Sequence, residues 1–487
     1  MGRTDPLTVI ADAVASGQLS KDYLEQLIAN RMEEFRFPEE PLPSAEYLGQ
    51  SKLVYYPAQL GQSIDDGRLT IIRKLDWSIH ATSTVWLAKM EYTVEYQEKP
   101  RLVAVKILAS KPPAADATSK RATPMSAGRL ERALLKKISS ADSTHPGHTH
   151  LSEFIDSFEF AGHLCFTLEV PCGSIHALRY PGPPSHDHHE DARKTPRVPL
   201  LVAKRAVRHV LLALVYLHDV CGIIHTDIRD ENIVFRPKSV ARLVADTLVD
   251  QPSASYRGAY NYPDIFLDSG NLSGVPVKSQ PLPVPDLNVL DDVHFVLTEF
   301  SHAEWKDSRS KETFMQEPIQ PRGLRAPEVY VGGPWTTPVD IWNFGSLIWE
   351  WIVGYRLASP YDSTDRSFLA TIIELLGPFD VNFLMRCHCA NVLFNLEDGS
   401  LLEENFMYNS SGVSLAISPS TSPTTPLDMY LEPQSEAAVE MRTQTSNPSE
   451  AEEALGFLRR SLKQDPEERS SAKQLLDDPW LAVNAKP

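Results

Sequence analysis

The sequence predicts an α+β chain of two lobes, a small antiparallel β-sheet lobe with one main helix and a larger, mostly helical lobe. Three observations carry this. Between residues 68 and 170 the apolar residues come in short β-branched and aromatic runs bounded by polar or Pro-containing turns. One run there, RLERALLKKI (129–138), has helical spacing instead. Beyond Val170, LLVAKRAVRHVLLALVYLHDV (200–220) and VDIWNFGSLIWEWIVG (339–354) are long and apolar enough to be helices buried in a bigger unit.

Taken in order, residues 1–60 form an extension. It carries one expected helix, SKDYLEQLIANRMEEF (20–35), in which Tyr23, Leu24, Leu27, Ile28 and Met32 recur at helical spacing behind a Ser20 cap. RLTIIRKL (68–75), STVWLAKMEYTVEY (83–96) and RLVAVKILAS (101–110) read as consecutive antiparallel strands. FIDSFEF (154–160) and HLCFTLEV (163–170) add two more, so the small lobe, 68–170, is expected to hold five strands. The larger lobe spans 171–483. Three stretches interrupt it, at about 177–199, 236–290 and 409–450, each rich in Pro, Ser, His or Asp, the last expected to be disordered.

Composition narrows the function classes. The 487 residues are 42% hydrophobic with 38 prolines, and the net charge of -17 argues against direct nucleic-acid binding while suiting a basic protein partner. The five cysteines form no paired framework and fit a reducing compartment, cytoplasmic or nuclear. No signal peptide or membrane-length apolar run is visible; VLLALVYL (210–217) is far too short. Cys387-His388-Cys389 alternates too tightly for a zinc site, and His186, His188 and His189 read as a solvated loop. A monomer is expected.

Four stretches carry chemistry. VAVK (103–106) ends a strand with Lys106, which can aim a cation at phosphate oxygens if a carboxylate holds it; Glu131 on the helix is the partner. In IIHTDIRDENIVF (223–235), Asp227 and Asn232 sit five apart, a spacing that suits a proton-accepting carboxylate beside a cation-holding amide. Arg229 adds a cation for a transferring phosphoryl group. VHFVLTEF (293–300) places Glu299 at a strand end, and LRAPEV (324–329) precedes a helix bearing Asp340, with Glu328 and Arg469 read as a structural pair.

The order VAVK, helix Glu, HTDxxxxN, strand-borne acid, APE and DxWxxG resembles the signature series of the eukaryotic protein kinases. CGIIHTDI, the APE-side sequence FMQEPIQPRGLRAPEV and the spacer after the HTD loop are similar to the SR-protein kinases (SRPK-like, CMGC group), over roughly 45–483. That resemblance implies a bilobal kinase fold and transfer of the ATP γ-phosphate to Ser/Thr hydroxyls of basic, Arg/Ser-rich proteins. It implies ATP contacts from Leu75, Val85, Ala104, Lys106, Glu131 and the hinge Glu169–Val170, with Leu168 at the back of the pocket. Asp227, Arg229 and Asn232 become catalytic, and Asn232 and Glu299 hold Mg²⁺ or Mn²⁺.

The sequence also departs from that family. Asp76 and Ser78 stand where the phosphate-covering loop carries glycines, and Glu299-Phe300-Ser301 stands where the family has DFG or DLG. A glutamate keeps hard oxygen ligands but moves the carboxylate by about a bond length, and misplacements near 1 Å can cost ~100-fold in rate. Two readings follow, a working Ser/Thr kinase or a pseudokinase that binds nucleotide or protein as a scaffold. No activating phosphate on Ser308, Ser310 or Thr313 is expected.

Overall fold

The computed structural model describes residues 55–76, 82–91, 101–110, 124–181, 194–255, 277–287, 293–307, 319–357, 364–402, 426–445 and 447–482. The expected helix at 20–35, Ser78, residues 92–96, the loop histidines 186, 188 and 189, and Ser308, Ser310 and Thr313 lie outside these residues.

The small lobe is a six-stranded antiparallel sheet, with strand order β1-β2-β3-β4-β6-β5. Its strands are β1 (Ser63–Ile64), β2 (Leu69–Asp76), β3 (Ser83–Met90), β4 (Arg101–Leu108), β5 (Phe154–Phe160) and β6 (His163–Leu168). The five expected strands are present, joined by the two-residue β1, which is too short to leave a periodic signal in the sequence. Alternation sorts the side chains. Trp86, Ala88, Val103, Val105, Ile107 and Cys165 pack together on one face. On the other face, Val85 pairs with Lys106 and Leu87 with Ala104, so an apolar row leads up to the lysine.

The helix Pro124–Ser140 crosses the lobe, burying Leu134, Leu135 and Ile138, with Glu131 turned toward the sheet. In the large lobe the helix Leu200–Val215 continues as a single wider turn, Tyr216–Cys221, and stops at Gly222. That residue has φ +67°, a left-handed conformation that glycine adopts without the clash a Cβ brings. The helix Pro338–Val353 begins on a proline that needs no N–H partner and ends the same way at Gly354, φ +81°. Almost all of its side chains are buried, which explains a sequence apolar on every face.

A second sheet, of strands Cys172–Ser174, Ile233–Pro237 and Val293–Leu297, joins the lobes. Pro237 pairs with Val293, so the stretch between them is an excursion hung from one hairpin. Within it Ser239 caps a helix, Val240–Asp250, and residues 277–287 return against the small lobe. Order also extends into the other two stretches. Thr195 and Val198 donate main-chain hydrogen bonds to Gly354 and Trp351. The helix Glu436–Gln444 buries Ala437, Ala438 and Met441. The expected disorder of 409–450 is therefore corrected for 426–445, where small side chains, which look like linker composition, allow close packing. No described helix is long and apolar enough to cross a membrane.

Candidate active site

The site lies where β4, the helix Pro124–Ser140, the loop after Ile224 and the end of the strand Val293–Leu297 meet. Lys106 Nζ is 2.7 Å from Glu131 Oε1 and 2.7 Å from Glu299 Oε1. Lys106 and Glu131 are buried, and the Glu299 side chain keeps about a third of its surface open, at 31%. Burial works against the Lys106 cation, but the two carboxylates outweigh it and raise its pKa. Burial pushes Glu131 up to about 7, against the pull of Lys106. For Glu299 burial is opposed by the charge and hydrogen bond of Lys106, which win and hold it down at about 2. One lysine thus organises two acids that share its charge.

Glu299 sits at φ +68°, a conformation uncommon for a residue with a side chain. Its Oε1 receives both Lys106 and the Ser301 N–H, which leaves Oε2 as the oxygen for a cation. Phe300 is buried with its ring edge-on to His225. The Glu299 carboxylate thus reaches Lys106 while Phe300 stays buried.

Asp227 and Asn232 are brought together. Asn232 Nδ2 donates to the Asp227 main-chain oxygen at 2.8 Å and to Oδ2 at 3.0 Å, so the amide oxygen Oδ1 is left for a metal ion. A carboxamide oxygen beside a carboxylate oxygen is a hard donor set, the kind magnesium and manganese take. Arg229 is nearly half exposed, with Nε 3.7 Å from Asp227 Oδ2. The loop is fixed from beneath by Asp340, fully buried, which accepts the N–H groups of His225 and Thr226 and a hydrogen bond with His218 Nε2, each at 2.8 Å. Thr226 needs that hold, because it sits at φ +66°. Thr226 Oγ1 in turn donates to His302 O at 2.6 Å, tying this loop to the segment that bears Glu299.

Leu75 and Ala104 lie on the face that carries Lys106, in one buried cluster with Val170; Val85 and Leu168 border it and stay partly exposed. The Glu169 carboxylate is taken by Arg236, and its N–H donates to Glu153 O at 3.0 Å.

Sequence reasoning missed one support. Arg179 and Asp230 form a buried ion pair, Asp230 Oδ1 accepts Trp351 Nε1 at 2.7 Å, and Glu350 approaches Arg179 at 3.5 Å. Arg179 ends the short helix Ile175–Arg179, at the edge of a stretch that reads as loop. The signal was the second aspartate of DIRDEN, charged yet set between apolar runs. Glu328 and Arg469 make the expected pair, 2.8 Å apart and fully buried.

Two metal-like groupings resolve as structural. His150, His209 and His294 bring ring nitrogens within 4.8 Å of one another. The Phe295 N–H donates to His209 Nδ1 at 3.1 Å, so the neutral ring carries its proton on Nε2 and offers no lone pair there. The rings of His150 and His209 also stack, 4.0 Å apart, where ligands would converge edge-on. Burial pushes the Cys387 thiol up to about 12, and Sγ donates to Phe383 O, as a buried neutral thiol does.

No protein-family model matches the chain. It is 27% identical over 435 residues to a serine/threonine protein kinase of Aspergillus fumigatus, covering 88% of each. It is 26% identical over 456 residues to the serine/threonine-protein kinase SRPK of Physarum polycephalum, covering 88% of this chain and 89% of that one. The crystal structure of a kinase domain superposes with a TM-score of 0.53 at 18% identity, over 88% of this chain and 98% of that domain.

Proposed function

We propose that this chain, a serine/threonine protein kinase of the SR-protein-kinase type, transfers the ATP γ-phosphate to serine in basic, Arg/Ser-rich proteins. The observation that carries it is the single lysine, Lys106, held by a helix carboxylate while a second acid stands within 2.7 Å at the strand end. That arrangement presents a fixed cation beside a carboxylate able to take a metal.

In this reading Lys106 binds the α and β phosphates, and Glu131 keeps its ammonium from swinging away. Leu75, Val85 and Ala104 cover the purine, and Glu169 and Val170 border its edge. Asp227 orients the substrate hydroxyl and accepts its proton, with Asn232 Nδ2 fixing the carboxylate from one side. Arg229 meets the charge that builds on the transferring group. A divalent ion, magnesium or manganese, held by Asn232 and Glu299 would neutralise the phosphate oxygens. The acidic balance of the chain, net -17, favours an arginine-rich partner.

The test is transfer of labelled γ-phosphate to an Arg/Ser-repeat peptide, to the same peptide with each Arg made Gln, and by Asp227→Asn. The reading expects transfer to the first peptide alone and none by the variant. Equal transfer to both peptides would remove the substrate class, and none to either would remove the activity.

A further inference from the structure

We propose that Arg73 and the returning segment of the long insertion are positioning elements of the nucleotide site, clamping the strand that covers the phosphates. This rests on the kinase reading above.

The hairpin of β2 and β3 lacks the glycines that would let it close as a flexible loop, and Asp76 ends β2 in their place. β2 also drifts from β3, with register shifts between Ile71 and Arg73 and between Lys74 and Asp76. At that stretch the insertion supplies another neighbour. Lys74 bridges to Ser279 in parallel, and the Gln280 N–H donates to Lys74 O at 2.9 Å.

Arg73 locks the joint. It has no exposed surface, yet its hydrogen bonds go to main-chain carbonyls of the insertion. Nε donates to Gln280 O at 2.7 Å, and Nη1 donates to Gln251 O, at the C-terminal end of the helix Val240–Asp250 where carbonyl oxygens favour a cation. Nη2 is buried with no hydrogen-bond partner among the described residues. A buried guanidinium is costly unless its donors are met, so the arginine and the insertion depend on each other. The insertion is itself braced there: Ala254 N donates to Gln280 Oε1 at 2.8 Å, and Lys278 N to Ala254 O at 2.9 Å.

The same segment reaches the cleft. Leu282, with Val244 of the insertion helix, is buried against Leu75, Leu87, Ala104 and Val170. Val85 and Leu168 remain partly exposed. The insertion thus packs on the same apolar face as Leu75 and Ala104, beside the partly exposed Val85 and Leu168. Held from the outside by carbonyls and from below by leucine, the strand Leu69–Asp76 is braced by the insertion rather than by glycine.

The experiment titrates the full-length protein with a fluorescent ATP analogue, in wild type, Arg73→Met, Arg73→Lys and Gln280→Pro, well below each melting temperature. It adds steady-state kinetics and amide exchange. Arg73→Met and Gln280→Pro, which remove the two halves of the clamp separately, are expected to weaken the analogue about tenfold, the scale of one or two lost charge-assisted hydrogen bonds. KM for ATP should rise in parallel while kcat and the peptide KM stay within about twofold, a loss of uniform binding. Arg73→Lys should fall between, and exchange should quicken across Leu69–Met90. Unchanged affinity in both variants overturns the proposal, and so does tighter binding, which would mean the insertion obstructs the cleft. A wild type that binds no nucleotide would defeat the kinase reading itself. The clamp is then judged on exchange across Leu69–Met90 alone, and no change there refutes it.

Discussion

Glu299 Oε1 lies 2.7 Å from Lys106 Nζ, so the acid at the end of the strand Val293–Leu297 is held by the buried β4 lysine. In the proposed reading, ATP and a metal ion would divide this pair, with Lys106 available to the phosphates and Glu299 to the metal.

Glu299→Gln keeps the shape of the side chain and removes its charge. Transfer should fall ~100-fold, the scale seen when one preorganised charge contact at a reacting centre is lost. The metal concentration for half-maximal rate should rise, and a metal titration of initial rate measures both. A variant within twofold of wild type would mean that Glu299 holds no metal.

The two acids on Lys106 give stability opposite dependences on pH. Glu299, lowered from 4.5 to about 2, stays ionised in the folded protein while the unfolded chain takes up a proton. Its contribution is complete above about pH 4.5 and fades as pH falls toward 2. Glu131 is raised from 4.5 to about 7, so the folded protein keeps a proton that the unfolded chain has lost. Its contribution is complete below about pH 4.5 and is lost as pH rises toward 7. Denaturant unfolding at several pH values should show Glu131→Gln flattening the decline between pH 5 and 7. Glu299→Gln should differ from wild type less at pH 3 than at pH 6.

Arg179→Met leaves Asp230 buried beneath the catalytic loop without its cation. Breaking a buried pair this way costs ~3–5 kcal/mol. Unfolding should show a loss of that order, and Arg179→Met with Asp230→Asn should recover part of it. An additive double variant would show that the two groups do not act as a pair.

Asp340→Asn exchanges one acceptor oxygen for a donor that faces the N–H group of either His225, at the Oδ2 position, or Thr226, at the Oδ1 position. The loop that carries Asp227 should lose its fixed geometry. We expect kcat to fall ~100-fold, the cost of a misplacement near 1 Å, with KM for ATP nearly constant. A fall in ATP affinity instead would place the effect in the small lobe.

Much of this was legible in the sequence, for physical reasons particular to each element. Helical spacing showed the Glu131 helix, and the β4 lysine showed as a cation set in a short β-branched run that is buried on both faces. The loop from His225 to Asn232 stood out because dense polar residues between apolar runs need partners. What the sequence hid were the partners. Arg179 and Asp230 meet across 51 positions, and Arg73 meets Gln280 across 207. Main-chain carbonyls such as those of Gln251 and Gln280 carry no residue-type signal at all. The ordered helix Glu436–Gln444 was hidden for the opposite reason, since alanines pack well and look like linker. Asp76 could be read as a departure, but what stands beside it in space could not.

In the proposed reading, Glu299 still serves phosphoryl transfer. A single-turnover measurement on wild type and Glu299→Ala, with excess enzyme, labelled ATP and an Arg/Ser peptide, in magnesium and then manganese, tests it most directly. We expect transfer by wild type in at least one metal and a loss of ~100-fold or more in Glu299→Ala. Equal rates in the two proteins, or no transfer by wild type in either metal, would contradict it.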